Sequence, residues 1–120
     1  MGFNRFGPAF AVAAAAVMAA GAVSAHARLV SSTPAANATV VSPRSIVLTF
    51  SERMVPAFST LEIVGSTGQK PSLRTSVSRD GHALTGRLAR PLTTGAYRVN
   101  WQAASSDGHR MTGSYAFTVR

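Results

Sequence analysis

The residues best suited to chemistry in this sequence are an aspartate and a histidine two positions apart. Asp107 and His109 belong to the polar stretch 105–110 (SSDGHR), and Gly108 between them permits a tight loop. A carboxylate and an imidazole at this spacing can bind the same metal ion. The pair can equally form an Asp–His hydrogen bond in a loop without any ligand, and the spacing alone leaves both interpretations open.

His26 favours the metal interpretation if it becomes the first residue of the processed chain. Its α-amine and its imidazole Nδ1 atom would then close a six-membered chelate ring on a metal ion. Nitrogen ligands with a tetragonal geometry suit Cu(II), which also leads the divalent affinity order. Together with His109 and Asp107, this gives three nitrogens and a carboxylate oxygen. The alternative is that His26 lies in a disordered N-terminus and has no role.

Residues 1–25 have the features of a secretory signal peptide. Arg5 supplies positive charge, an uncharged alanine-rich stretch follows, and Val23 and Ala25 stand at the −3 and −1 positions of a cleavage site. Cleavage after Ala25 leaves a domain of residues 26–120 that begins with His26, whereas cleavage after Ala27 would remove His26. The other interpretation is a membrane anchor, which the abundance of alanine disfavours. We expect export and processing after Ala25.

The composition excludes several kinds of site. The chain has no cysteine, so it forms neither disulfides nor thiolate metal sites. Only four residues are Asp or Glu, which argues against paired-carboxylate hydrolases and calcium cages. Lys and Arg number 12, and the formal net charge is +8. The arginines are spread along the sequence without the interleaved aromatic residues that stack on bases, so we expect no nucleic-acid partner.

Alternating hydrophobicity predicts an all-β domain. The clearest segments are 45–50 (SIVLTF), 59–64 (STLEIV), 96–103 (AYRVNWQA) and 114–120 (SYAFTVR), with weaker ones at 28–31, 72–78 and 82–88. The stretch that ends at Tyr97 (LTTGAY) predicts a tyrosine corner. Seven short strands with turns about every 8–12 residues indicate a Greek-key sandwich or barrel. The aromatic residues expected in its core are Phe50, Phe58, Tyr97, Trp101, Tyr115 and Phe117.

Four longer stretches occur together in one order: 26–34 (HARLVSSTP), 46–52 (IVLTFSE), 95–101 (GAYRVNW) and 105–113 (SSDGHRMTG). In combination they resemble the CopC family of periplasmic copper-resistance proteins, over the whole of residues 26–120. The resemblance implies an immunoglobulin-like, seven-stranded Greek-key fold in the bacterial periplasm. It also implies a Cu(II) site whose ligands correspond here to His26, Asp107, His109 and Glu52. Glu52 would either bind copper or orient the other ligands.

The chain departs from the family pattern at one place. Some family members have a second site, for Cu(I), in a methionine-rich loop with an added histidine. Thioether ligands suit Cu(I), but residues 64–73 (VGSTGQKPSL) contain neither methionine nor histidine. We therefore expect one Cu(II) ion per chain and no Cu(I) site.

These features predict a non-enzymatic carrier or buffer for copper in homeostasis and resistance. We expect a soluble monomer after signal cleavage, and by family analogy a CopD-like inner-membrane protein receives the metal. One alternative is an immunoglobulin-like adhesion or assembly module with an incidental metal loop. Another is a copper-dependent monooxygenase, because a terminal histidine with a second histidine resembles the copper brace of those enzymes. Against that alternative, Asp107 would compete for the coordination position that oxygen chemistry needs.

Overall fold

Two β-sheets pack face to face in residues 27–120, the part of the chain that the computed structural model describes. The strands are β1 (Leu29–Thr33), β2 (Thr39–Val40), β3 (Ser45–Phe50), β4 (Thr60–Gly65), β5 (Leu73–Val77), β6 (Ala83–Leu88), β7 (Gly95–Ala104) and β8 (Arg110–Val119). The first sheet has the order β1-β3-β6-β5, and the second has the order β2-β8-β7-β4. This matches the A-B-E-D and G-F-C arrangement of immunoglobulin domains. The predicted all-β, immunoglobulin-like Greek-key fold is confirmed.

The structure differs from the predicted segments by one added strand and by the start of β8, whereas the other strand bounds agree with the predicted ones to within two residues. The structure adds β2, which pairs in parallel with the end of β8. Its two residues are too few to show any alternation in a sequence. The other difference is that β8 begins at Arg110 instead of residue 114, because its pairing with β7 continues without interruption to Ala104 and Arg110. The two long strands therefore run directly into the loop that contains Asp107 and His109.

The core lies between the sheets, where the inward-facing residues of the alternating strands meet. In β3, every second residue from Ile46 to Phe50 is buried, while the residues between them are half-buried on the outer face. Burial of these apolar side chains is the main favourable contribution to folding. The buried cluster contains Ile46, Leu48, Phe50, Met54, Leu61, Ile63, Leu84, Leu92, Tyr97, Val99, Ala103, Phe117 and Val119.

An aromatic contact joins the two sheets close to the β7–β8 loop. The rings of Phe50 and Trp101 meet edge to face, with centroids 5.3 Å apart and an interplanar angle of 70°. Gly113 leaves room for the indole, since a Cβ atom at this position would lie 2.4 Å from Cζ2 of Trp101. Because Phe50 ends β3, this packing also fixes where the segment after β3 begins.

The predicted tyrosine corner is present at the start of β7. The hydroxyl of Tyr97 donates a hydrogen bond to the main-chain oxygen of Thr93 at 2.6 Å, and the Tyr97 side chain is almost fully buried. A buried phenol normally finds such a partner. The bond ties the turn before β7 to the strand itself.

Phe58 is not in the core, contrary to the sequence-based expectation. It belongs to the 3₁₀ turn Pro56–Phe58 between β3 and β4, and 56% of its surface is exposed. The guanidinium carbon of Arg110 lies 5.5 Å from the centre of its ring, so a cation–π contact takes the place of core packing.

Across the described range 27–120, no helix has the length and apolar character needed to cross a membrane.

Candidate metal centre

The loop between β7 and β8 brings Asp107 and His109 together. The main-chain N–H of Ser105 donates to the main-chain oxygen of His109 at 2.9 Å, and that of Gly108 donates to the oxygen of Ser105 at 2.9 Å. Gly108 has a φ of +94°, a conformation that residues with side chains rarely adopt. The glycine therefore permits the tight loop that the sequence predicted.

The Asp107 carboxylate is held by three hydrogen bonds from within its own loop. Its Oδ1 atom accepts one from the hydroxyl of Ser105, which is buried, and one from the main-chain N–H of His109 at 3.2 Å. Its Oδ2 atom lies 3.0 Å from Nδ1 of His109. Both side chains remain about half exposed, so a ligand from solvent can approach them.

These contacts lower the pKa of the Asp107 carboxyl group. The hydrogen bond from the Ser105 hydroxyl is the main cause that lowers the pKa of Asp107 to about 2, and the main-chain N–H and the side chain of His109 lower it further. Hydrogen bonds to an ionised carboxylate favour its charged form. Asp107 is therefore negative at neutral pH and needs no proton loss before it binds a cation.

The contact between Asp107 and His109 selects one imidazole tautomer. A neutral imidazole that donates from Nδ1 to a carboxylate carries its lone pair on Nε2. A carboxylate behind a histidine is typical of metal sites, where it orients the ring and raises its basicity. The structure therefore shows the hydrogen-bonded form of the Asp-x-His pair. A metal ion bound by both side chains would have to replace this hydrogen bond.

Glu52 lies in the segment that runs beside this loop. The main-chain N–H of Ser106 donates to the oxygen of Arg53 at 3.0 Å, and Met54 forms a β-bridge with Ser105. Glu52 directly precedes these residues and is exposed. The backbone pairing therefore places Glu52 next to the loop.

The described chain begins at the same end of the sandwich. The main-chain N–H of Arg28 donates to the hydroxyl of Ser51, and the N–H of Ser51 donates to the oxygen of Arg28, both at 2.9 Å. These two hydrogen bonds hold Arg28 next to Ser51, the residue that precedes Glu52. His26, the remaining predicted ligand, lies outside the described residues. Within residues 27–120, no three His, Cys, Asp or Glu side chains form a group that could hold a metal ion.

Comparison with known proteins decides the family. The family model of the CopC domain matches residues 29–120, almost the whole of the described range. The chain belongs to the CopC family. The resemblance identified from the four sequence stretches is thereby confirmed.

The CopC family includes relatives that match this chain along most of their length. Copper resistance protein C of Xanthomonas campestris pv. juglandis is 35% identical over 116 residues, which cover 91% of each chain. Its counterpart in Pseudomonas syringae pv. tomato is 39% identical over 114 residues, or 89% of this chain and 90% of the relative. The crystal structure of PcoC, a methionine-rich copper resistance protein from Escherichia coli, matches with a TM-score of 0.73 and 35% identity. That match covers 80% of this chain and 100% of PcoC.

A second turn in this CopC-family chain repeats the geometry of the Asp107 loop. Residues 78–82 (SRDGH) share the pattern Ser-x-Asp-Gly-His with residues 105–109 (SSDGH). In both turns the serine hydroxyl and the histidine N–H donate to the aspartate Oδ1 atom, and the glycine N–H donates to the serine oxygen. This repeat was not predicted, although the shared five-residue pattern is visible in the sequence.

The two turns differ in what the imidazole contacts. Nδ1 of His82 lies 3.1 Å from the main-chain oxygen of Asp80, whereas Nδ1 of His109 faces the Asp107 carboxylate. The Asp80 carboxylate therefore does not orient the His82 ring. The turn packs on the other side of the segment after β3, where the N–H of Met54 donates to the oxygen of Gly81 at 2.8 Å. His82 thus resembles His109 in its local fold and differs from it in the group that faces Nδ1 of its ring.

Proposed function

We propose that this protein binds one Cu(II) ion per chain and acts as a non-enzymatic periplasmic carrier or buffer in copper homeostasis and resistance. The ligands are the α-amine and Nδ1 of His26, the imidazole of His109 and the carboxylate of Asp107, with Glu52 as a further ligand or as a group that orients them. Export with cleavage after Ala25 produces a soluble monomer that begins at His26. A CopD-like inner-membrane protein receives the metal.

The observation that carries this proposal is the convergence of three chain segments. Backbone hydrogen bonds join Arg28 to Ser51 and join Arg53 to Ser106, so the start of β1, the segment after β3 and the β7–β8 loop lie side by side. Position 26 is two residues ahead of Arg28, a span of at most about 7 Å in an extended chain. That reach is short enough to confine an N-terminal ligand to the same end of the sandwich as Asp107 and His109.

The donor chemistry favours Cu(II) over Cu(I). The proposed set contains amine and imidazole nitrogens and carboxylate oxygen, whereas Cu(I) prefers thiolate and thioether ligands. Met54 is buried in the core, and Met111 is the other methionine of the described residues. Residues 64–73 contain neither methionine nor histidine, which contrasts with the methionine-rich relative from E. coli. This favours a single cupric site.

A carrier role agrees with the exposure of the proposed ligands. Asp107 and His109 are about half exposed in a loop at the tip of two long strands, where a partner protein can reach them. The three named bacterial relatives are copper resistance proteins. We infer that the site serves to hold and pass on the ion.

Intact-mass analysis of the protein recovered from the periplasm, followed by Cu(II) titration, tests the proposal. We expect a mass that corresponds to a chain starting at His26 and an uptake of one Cu(II) equivalent at neutral pH. A processed chain that starts at Arg28 and binds Cu(II) equally tightly would contradict the proposed ligands. Failure to bind copper stoichiometrically would favour the adhesion or assembly module instead.

A further inference from the structure

Four arginines that are dispersed in the sequence come together at the end of the sandwich opposite the proposed metal centre. We call Arg44, Arg74, Arg87 and Arg90 the arginine face. Arg74 and Arg87 are directly opposite each other in the pairing of β5 with β6, and both are exposed on the outer side of the first sheet. The N–H of Leu88 donates to the oxygen of Arg44 at 2.9 Å, which brings Arg44 next to Arg87.

The arginine face contains a shallow cleft. Arg44, Arg87 and Arg90 line it together with Ser42, Pro43, Leu88, Ala89 and Pro91. Three guanidinium groups around one depression provide several donors in a planar geometry that matches phosphate oxygens. The cleft has the chemistry of a site for an anionic phosphate group.

No Asp or Glu side chain of residues 27–120 forms an ion pair with this face. The strands of the first sheet contain neither Asp nor Glu. Glu62 lies on the second sheet, where its carboxylate contacts Lys70 at 3.5 Å and accepts a hydrogen bond from Asn100. Among residues 27–120, no arginine takes part in an ion pair. The positive charge of the arginine face is therefore uncompensated within the described fold.

Repulsion between two arginines of this face also lowers the stability of the fold. Like charges directly opposite each other on neighbouring antiparallel strands are destabilising, because their side chains lie within about 5.5 Å at the Cβ atoms. Arg74 and Arg87 form such a pair. The arginine face is destabilised by this repulsion and has no ion-pair partner among the described residues. This combination points to an anion outside the chain as its partner.

We infer that the arginine face binds the anionic headgroup surface of a phospholipid membrane. Each arginine close to such a surface strengthens binding about fivefold. The outer side of the first sheet has no aromatic residue, whereas proteins that bind single-stranded nucleic acids stack bases on aromatic side chains. The choice of a phospholipid surface rests on the proposed export to the periplasm, where the inner membrane presents anionic lipids.

Membrane binding through this face leaves the proposed metal centre accessible. Strand β6 begins at Ala83, beside the 78–82 turn, and ends at Leu88, beside the cleft. Its length of about 17 Å separates these two ends of the sandwich. The Asp107 loop is at the same end as the 78–82 turn, because both are hydrogen-bonded to the segment after β3. The arginine face therefore concentrates the protein at the membrane and keeps Asp107 and His109 exposed to a partner.

Vesicle co-sedimentation of the metal-free processed protein tests the inference. Vesicles of phosphatidylethanolamine with phosphatidylglycerol are compared with vesicles of phosphatidylcholine at physiological salt. We expect the wild-type protein to bind only the anionic vesicles. The double variant Arg74→Gln/Arg87→Gln should bind them about 25-fold more weakly, because each lost arginine weakens binding about fivefold. The variant Arg74→Lys/Arg87→Lys keeps the charge and retains binding, which separates loss of charge from loss of fold.

The matched control is Arg79→Gln/Arg98→Gln, which removes the same charge from the far turn and from the second sheet. Its binding stays within about threefold of wild type, since charges more than a Debye length of about 8 Å from the surface are screened. Equal losses in both glutamine variants, or equal binding to phosphatidylcholine, would overturn the inference. So would displacement from the vesicles by inorganic phosphate or DNA at the same phosphate concentration. Copper titration is independent of these outcomes, so the proposed Cu(II) site can fail or hold separately.

Discussion

Nδ1 of His109 lies 3.0 Å from Oδ2 of Asp107, while Oδ1 of the same carboxylate accepts hydrogen bonds from the Ser105 hydroxyl and the His109 main chain. The carboxylate therefore fixes both the backbone and the imidazole of the residue two positions later. This pair is the part of the proposed metal centre that is already formed within residues 27–120.

Loss of the His109 imidazole should weaken Cu(II) binding far more than loss of the His82 imidazole. We expect His109→Ala to lower the apparent affinity by more than about 100-fold, above the 10–100-fold range of groups that only orient a ligand. His82→Ala is the matched control, since its turn has the same Ser-x-Asp-Gly-His hydrogen bonds but its ring faces a main-chain oxygen. Competition titration with a Cu(II) chelator measures both variants. Equal losses would assign the effect to the turn and not to a ligand.

The pH dependence of Cu(II) binding should reflect proton loss from nitrogens alone. A free imidazole has a pKa of about 6.5 and an α-amine one of about 7.7–8.0, whereas the pKa of Asp107 is lowered to about 2. Metal binding to the His26 amine and to two imidazoles then displaces up to three protons per copper as the pH falls from 8 to 5. Affinity should fall steeply over this range. Since Asp107 is a proposed ligand, Asp107→Asn should lower the affinity by more than about 100-fold. The slope should stay unchanged, because the Asp107 carboxylate is already ionised over this pH range, and competition titrations at several pH values would detect any change.

Acid should destabilise the metal-free fold partly through Asp107. Because the folded-state pKa of Asp107 is below that of an unfolded-state aspartate, about 3.9, its ionised form contributes stability above that value. This contribution is lost as the pH falls from about 4 to 2. Denaturant midpoints between pH 5 and 2 should therefore fall more steeply for wild type than for Asp107→Asn. Parallel curves would contradict the hydrogen bonds assigned to this carboxylate.

Filling the space at Gly113 should destabilise the end of the sandwich that holds the loop. An alanine Cβ atom would lie 2.4 Å from Cζ2 of Trp101, and the indole is held against Phe50 from the other side. Overpacking of this kind costs about 1–3 kcal/mol of unfolding free energy. Urea denaturation of Gly113→Ala measures the cost. A variant as stable as wild type would mean that Trp101 can move without loss.

The sequence pattern predicted the parts of the fold that depend on residues close together in the chain. The bounds of β3 and the Tyr97 corner follow from alternation and from one turn sequence, and both are confirmed. β2 escaped prediction because only its pairing with β8 defines it. Phe58 was placed in the core on hydrophobicity, but the Pro56–Phe58 turn places it on the surface, where Arg110 covers it.

The candidate site shows the same division between local and long-range information. The contact of Asp107 with His109 depends on five consecutive residues and was predictable from their spacing. The position of Glu52 beside the loop depends on the Met54–Ser105 bridge, which joins residues 51 positions apart and leaves no mark in the sequence. Only the resemblance to a family indicated it. The clustering of the four arginines likewise required the strand register of β5 and β6.

The most direct test of the central claim is EPR spectroscopy of the Cu(II)-loaded protein with two different N-termini. One form begins at His26, and the other retains Ala25, which converts the His26 amine into an amide and breaks the six-membered chelate. We predict hyperfine structure from three nitrogens for the first form, and for the second a changed pattern with weaker Cu(II) binding. Identical spectra and equal affinities would show that the N-terminal amine of His26 does not bind the metal.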